Sequence, residues 1–399
     1  MKNSNNRSFT FRFGTIVIIM IITALISGLT AGIIVYTSYN KNTGINYNNI
    51  NNDAALKQFL EVYKSISDDY YEDVNKTEMV EAAIEAMLNY LDDKYTSYLN
   101  TEQTSALNDS LKGEYEGIGV VILDHTITEV LPDSPAEKSG LKPGDVITKI
   151  NDSDITSINS TELVKKMKSS VGSNILVSVL RDNKAVDFNV SIEKLYVPAI
   201  RSRVIEGTTI GYIRLATFSS SAYEQVEKAL DKLTDDGITG LIIDLRANAG
   251  GYLDAAEKIS NLFLEKNKVI YSLETKKDTK VSKDTTMRKF NLPVVVIVDG
   301  NTASAAEILS AALSESYGAK LVGTKTYGKG KVQQVISLVD GSMAKYTSGK
   351  WYTPSGNNID KVGLTPDFVV ELEIKRDNNG NIIEIVDSQY NKAVELLSN

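Results

Sequence analysis

The 399-residue chain has no cysteine and only one histidine. Without thiols it can form no disulfide, no thiolate zinc site and no cysteine nucleophile. A single histidine rules out multi-histidine metal sites, and it leaves any Ser-His-Asp triad dependent on His125 alone. Positive charge is also in short supply. Lys and Arg total 43 against 51 Asp and Glu, a net charge of −8, so nucleic acid is not an expected partner. What remains is 42% hydrophobic and 24% charged, a composition that suits two or three globular domains with ample core.

The N-terminus carries Lys2, Arg7 and Arg12 with no acid, followed by an uncharged apolar run over residues 15–36. At 1.5 Å per residue the run spans about 30 Å, the hydrocarbon thickness of a bilayer. Secretory apolar segments are shorter, roughly 7–15 residues. An uncleaved anchor is therefore expected, with the basic start (1–36 in all) cytoplasmic and the rest of the chain outside. Residues 37–52 are rich in Asn and lack apolar periodicity, as a flexible stalk would.

Helical spacing recurs in Leu56, Phe59, Leu60, Tyr63 and Ile66, and again in Val80, Ala83, Ile84, Met87, Leu88 and Leu91. These stripes read as packing faces, with a homodimer contact as the alternative, in a helical region over 53–112. From 113 to 195 short strands and turns predominate, as in a small β-rich module. From 196 to 375 strands alternate with helices, and "ITGLIIDLR" and "LPVVVIVDG" are continuous apolar runs of the kind found in central parallel strands. The expected fold class is multidomain, α+β and α/β, with an open core built on a mixed sheet. Residues 276–290, basic and polar, read as a solvated loop or as a border of a substrate groove. Residues 376–399 read as a tail ending in a short helix.

Sites in open α/β sheets lie beyond the carboxyl ends of the strands, where "DLRANAGG" (244–251) and "DGNTASAAE" (299–307) both fall. Ser304 stands at such a strand-to-helix corner. "SAAE" is the S-x-x-E pattern of a capping box, in which Glu307 reaches back to the Ser304 N–H. A cap and a nucleophile are compatible roles, because a helix N-terminus favours developing negative charge. The Ala305 N–H could donate to an oxyanion.

With His125 far away in sequence, the base must be found elsewhere. In "TYGKGKVQQ" Lys329 sits between Gly328 and Gly330, and glycines permit close backbone approach. A lysine works as a base only when neutral. Moving it from about 10.4 to about 7–8 corresponds to about 4 kcal/mol, which burial can supply. In an extended segment Lys329, Lys331 and Gln333 share a face. Gln333 could then aim an amine, and spacing does not choose between the two lysines. "GTKTYGK" matches part of a phosphate-binding loop, but Gly330 replaces the required Ser or Thr and a strand-like run follows.

Taken together these segments resemble the carboxy-terminal processing proteases, tail-specific Ser-Lys peptidases with an embedded PDZ domain. The resemblance covers about 53–399 and rests on "NTASAAEIL", "TYGKGKVQ" and "DLRANAGG", with "LDDKYTSYL", "GEYEGIGVVI", "SPAEKSGLKPGDVITKIN" and "GLTPDFVV" in support. It implies Ser304 as nucleophile, Lys329 rather than Lys331 as base, and Gln333 as its orienting partner. It also implies an oxyanion hole from Ala305 with Gly250 or Gly251. The "YEGIG" loop resembles a PDZ carboxylate-binding loop, so Ile118, Gly119 and Val120 would offer backbone N–H groups to a substrate C-terminus. Ala249 and Lys331 depart from the family pattern, which has a proline and a small residue there. The implied activity is a serine endopeptidase that needs no metal or cofactor, acts on protein C-termini and is anchored outside the cytoplasm. A non-catalytic PDZ scaffold is the alternative.

Overall fold

The computed structural model describes residues 53–398 apart from 124, 156, 159, 168–171, 197, 288–289 and 377–381. The expected anchor (15–36) and stalk (37–52) lie outside the described residues. Among those described, no helix is long and apolar enough to cross a membrane.

The chain divides into two compact units, one ending at Ala83 and one beginning at Ile84. The first holds helix α1 (Ala54–Asp69) and the start of α2 (Lys76–Asn89). Asp53 caps α1, its Oδ1 accepting the Ala55 and Leu56 N–H groups. The stripe expected to pack is open in this chain: neither helix has a buried residue, and Phe59, Leu60 and Ile66 are each at least 40% exposed.

In the second unit, β1 (Ser97–Leu99) and α3 (Thr101–Lys112) lead into a β-rich module. Its strands are β2 (Glu114–Gly117), β3 (Val120–Leu123), β4 (Thr126–Val130), β5 (Val146–Ile150), β6 (Ser153–Asp154), β7 (Asn174–Arg181), β8 (Lys184–Ser191) and β9 (Glu193–Tyr196). Helix α4 (Pro135–Ser139) follows β4, and α5 (Ser160–Met167) precedes β7. The sheet runs β3-β4-β5-β7-β8, with β6 beside β5, so β3 is an edge strand. Alternate residues Ile175, Val177 and Val179 of β7 enter a core shared with Ile127, Ile147 and Leu163, the two-residue period of a one-sided strand.

The α/β core follows. Its strands are β10 (Ile200–Val204), β11 (Ile210–Leu215), β12 (Gly240–Asp244), β13 (Val269–Thr275), β14 (Thr279–Lys283), β15 (Val294–Val298), β16 (Lys320–Gly323), β17 (Lys331–Ser337), β18 (Met343–Tyr352) and β19 (Phe368–Val369). Helices α6 (Ala222–Asp235), α7 (Leu253–Ser260) and α8 (Ala305–Ala311) intervene, and α8 widens into a π-helical turn over Ala312–Tyr317. The hairpin β20 (Glu373–Arg376) and β21 (Ile382–Val386) and helix α9 (Ser388–Ser398) close the chain.

The central sheet runs β10-β11-β12-β15-β16-β19, parallel except for the antiparallel β10–β11 pair, so it is mixed as expected. The continuous apolar strands are buried on both faces. Leu241, Ile243, Val294, Val296 and Val298 point into the larger core beneath α6 and α7, while Ile242, Val295 and Ile297 meet Ala393 of α9 on the other face. Full burial of each such side chain contributes about 1.5–3 kcal/mol. A second, antiparallel sheet runs β1-β18-β13-β14, with β17 also on β18. Residues 279–283, expected within a polar loop, form its edge strand β14, whose exposed side chains hide the strand pattern.

Candidate active site

Ser304 occupies the corner between β15 and α8 with φ 58° and ψ −120°, a conformation costing a non-glycine residue of order 1–3 kcal/mol. The surrounding hydrogen bonds hold it there. Asp299 Oδ1 accepts the Ala247 and Asn301 N–H groups, each at 3.0 Å. Thr302 Oγ1 donates to the Leu245 carbonyl at 2.9 Å, and the Ala303 N–H donates to the Asn248 carbonyl at 2.9 Å. The Ser304 N–H donates to Glu307 Oε2 at 2.9 Å, the reach-back half of the capping box.

The glycine loop after β12 packs directly on this corner. Gly250 has φ +103°, and a Cβ on it would lie 2.9 Å from the Ala303 carbonyl oxygen and from Ser304 Cβ. A Cβ on Gly251, at φ +143°, would lie 2.4 Å from the Phe218 carbonyl oxygen. Only glycine fits either place. Buried Asn248 sets the loop: its Nδ2 donates to the Leu215 carbonyl and its Oδ1 accepts the Gly250 N–H, both at 2.8 Å. The Gly250 N–H is thereby engaged. The N–H groups of Gly251 and Ala305 make no hydrogen bond among the described residues, and both residues line one cavity.

The cavity, about 470 Å³, is also lined by Ser304, Lys329, Lys331, Gln333 and Lys345. A fully buried carboxylate joins its two key loops from beneath. Glu307 Oε2 accepts the N–H groups of Ser304 and Lys329, each at 2.9 Å. Its Oε1 accepts Thr326 Oγ1 at 2.6 Å and the Gly328 N–H at 2.7 Å. The capping-box pattern announced the first of these four bonds; nothing local in the sequence announced the other three.

Gly328 and Gly330 allow the lysine loop to press on the 359–363 turn, where a Cβ would fall within 2.8 Å and 2.6 Å of backbone nitrogens. The single tryptophan, Trp351 on β18, donates Nε1–H to the Lys329 carbonyl at 2.8 Å. Burial pushes the Lys329 ammonium below the ordinary lysine range, and the charge of Lys345 pushes the same way. The amine makes no ion pair or hydrogen bond among the described residues, and its Nζ lies 5.1 Å from the centroid of the Tyr95 ring. Ser304 and Lys329 face the same cavity without a hydrogen bond between their side chains.

Lys331 lines the cavity too, but its ammonium pairs with Asp93 Oδ1 at 2.8 Å, which pushes it up. It is thus not a free amine. Burial alone would raise Asp93, yet Lys331, Thr347 and Thr96 hold it down at about 2. Gln333 Nε2 donates to Thr347 Oγ1 at 3.4 Å, and Thr347 in turn donates to Asp93. Gln333 makes no hydrogen bond to Lys329. Between Val332 and Gln333 the pairing skips Ser348, an extra residue on β18, and Lys331, Val332 and Gln333 all line the cavity.

The remaining site residues lie elsewhere. Gly119, at φ +88°, sits between β2 and β3, and the N–H groups of Ile118 and Gly119 make no hydrogen bond among the described residues. Val120 begins the edge strand β3. His125 lies between β3 and β4, where its Nε2 bonds the Ile158 carbonyl, away from the cavity-lining residues. Asp244 is fully buried, bridged by Arg246 at 2.6 Å and bonded by the Tyr212 hydroxyl, a structural cluster that also ties in Asp387.

A PDZ module joined to an α/β core with a strained serine corner defines a class of peptidase, and comparison with known proteins bears that class out. The profile of peptidase family S41 matches residues 209–370, that of the PDZ domain 102–192, and that of the activating protease CtpB N-terminal domain 31–103. A probable CtpA-like serine protease of Staphylococcus saprophyticus is 31% identical over 377 residues, covering 93% of this chain and 76% of the relative. One from Staphylococcus aureus is 33% identical over 380 residues, covering 92% and 75%. Among solved structures, a photosystem II D1 C-terminal processing protease superposes with TM-score 0.50 at 24% identity, covering 81% of this chain and 88% of its own. A putative S41 protease from Bacteroides fragilis does so with TM-score 0.57 at 17% identity, covering 83% and 98%. These two likenesses concern the fold alone. The chain belongs to the carboxy-terminal processing proteases of the CtpA/CtpB type, serine proteases of family S41 that carry a PDZ domain.

Proposed function

We propose that the protein is a Ser-Lys endopeptidase that cleaves loosely folded proteins presented by their C-termini. Neutral Lys329 takes the Ser304 proton as Oγ attacks the scissile carbonyl. The N–H groups of Gly251 and Ala305 hold the oxyanion. Lys329, now charged, gives its proton to the leaving amine, and water releases the acyl-enzyme. Lys329 meets the demand placed on such a base, since burial pushes it down and no carboxylate among the described residues pairs with it. Gln333, fixed through Thr347 and Asp93, lies within the cavity where a substrate-bound rearrangement could turn its amide oxygen toward the amine. The observation that carries the reading is the shared buried Glu307, which locks the backbone of Ser304 to that of Lys329 on the rim of a cavity with two free N–H donors.

The substrate C-terminus adds as a strand beside edge strand β3, its carboxylate meeting the Ile118–Val120 loop. Leu107 and Leu111 of α3, the helix entering the PDZ module, line the cavity, which supports gating of the cleft by docking. Residues 1–36 anchor the chain in a single pass with 37–52 as stalk, the catalytic part lies outside the cytoplasm, and the open stripe of α1 supports a homodimer contact. The divisions 53–112, 113–195, 196–375 and 376–399 serve as helical, PDZ, protease and tail segments.

The full chain in detergent, mixed with an unfolded protein, tests the chemistry beside Ser304→Ala and Lys329→Ala. Cleavage is expected to fall by at least about 10³-fold in each variant. Equal behaviour of all three proteins would refute the dyad and favour a non-catalytic PDZ scaffold.

A further inference from the structure

Three lysines line the catalytic cavity, and no carboxylate does among the described residues. Their charges have different fates. Lys331 is neutralised by Asp93 at 2.8 Å. Lys329 sits over the Tyr95 ring and, on the reading above, works uncharged. Lys345 has no hydrogen bond or ion pair among the described residues and is half-buried. It projects from β18 directly across from Val335 of β17, which also lines the cavity, as do Leu107 and Leu111 of α3. The ammonium thus stands in a partly apolar cavity with no counter-ion among the described residues. Its ordinary fate is a charge-assisted hydrogen bond to a carboxylate that arrives with the substrate.

We propose that Lys345 is a specificity-determining residue that binds a substrate carboxylate close to the scissile bond, so that the protease selects an acidic side chain at one position beside an apolar one. The inference rests on the cavity being the cleavage site. A carboxylate there could come from an Asp or Glu side chain or from the substrate's own terminus. The side chain is the better fit for an endopeptidase, because on the reading above the terminus is engaged by the Ile118–Val120 loop, none of whose residues lines the cavity.

The test uses the full chain and peptides with Glu or the isosteric Gln at each position flanking the scissile bond, made with an amidated and with a free C-terminus. Comparing Glu with Gln inside each variant cancels any change that Lys345 causes in Lys329. The wild type is expected to favour Glu at one position by about tenfold or more in kcat/KM, whichever C-terminus is used, because bonds to charged groups are the stronger ones. Lys345→Arg should keep that ratio, Lys345→Gln should bring it near one, and Lys345→Glu should reverse it in favour of Lys over Gln. In the Ser304→Ala protein the affinities of the amidated peptides should show the same Glu preference without turnover.

Ser304-dependent cleavage with a Glu to Gln ratio near one, or a ratio unchanged in Lys345→Gln, overturns the inference and leaves the dyad standing. A preference that follows the free terminus alone overturns the side-chain assignment. Cleavage undiminished by Ser304→Ala overturns the dyad and this inference together.

Discussion

Replacing Glu307 by Gln should damage both stability and catalysis, by amounts that follow from four hydrogen bonds. Each carboxylate oxygen accepts two: Ser304 N–H and Lys329 N–H on one, Thr326 Oγ1 and Gly328 N–H on the other. A glutamine retains one oxygen and presents an NH₂ group to the second pair of donors. Thr326 Oγ1 cannot easily turn away, since it also accepts the Leu364 N–H at 2.7 Å. Two buried donors without acceptors cost about 1–3 kcal/mol each, so the unfolding free energy should drop by roughly 2–6 kcal/mol. The loss also loosens the loop that carries Lys329, which is anchored next door at Gly328, so kcat should fall by about 10²-fold or more while KM changes little. Denaturant unfolding measures the first quantity and peptide cleavage the second. The lone Trp351 reports the local event, because its indole N–H bonds the Lys329 carbonyl, and its emission should shift red as that loop loosens. A variant within about 1 kcal/mol and threefold of wild type would refute the claim that Glu307 joins the two loops.

Lys329→Met should raise the melting temperature at pH 7. The folded lysine is pushed down by burial and by Lys345, so between its folded value and about 10.4 the unfolded chain binds more protons; the penalty is full below that window and vanishes above it. The gap between wild type and variant should therefore narrow as pH rises toward about 10.4, and a constant gap would contradict burial of the charge. Asp93→Asn should remove a stabilisation that is complete above about 4 and is lost in the wild type as pH falls through about 2; pH-dependent unfolding checks it, and parallel curves for the two proteins would contradict the Asp93–Lys331 pair. Amidating a substrate's C-terminus should lower kcat/KM by about tenfold or more. In Gly119→Ala, where a Cβ would lie 2.3 Å from Ser134 Cβ, the free and amidated substrates should be cleaved alike.

Local pattern revealed much of this architecture where a residue's role depends on its near neighbours. Strands β12 and β15 stood out as unbroken apolar runs because both faces of the central sheet are covered, the far one by Ala393 and its neighbours on α9. Ser304 and Lys329 stood out because a strand-to-helix corner and a glycine-flanked lysine are short motifs. Roles set at long range were hidden. Asp93 and Lys331 are 238 residues apart, so no local spacing announces that pair. S-x-x-E gives the same local signal whether its Glu caps one helix or also holds a loop 22 residues away. The engagement of the Gly250 N–H by the Asn248 side chain was hidden too, because no spacing encodes that side chain's direction. Strand β14 escaped notice because an exposed edge strand has no apolar alternation to display.

The most direct measurement is the protonation of Lys329 itself. Lysine labelled with ¹³C at Cε gives a resonance for each side chain, and Lys329→Met identifies the one of interest. That resonance should titrate below the ordinary lysine value of about 10.4, with a midpoint coinciding with the acid limb of kcat/KM. A midpoint at or above about 10.4, with activity already maximal at neutral pH, would contradict a neutral lysine base.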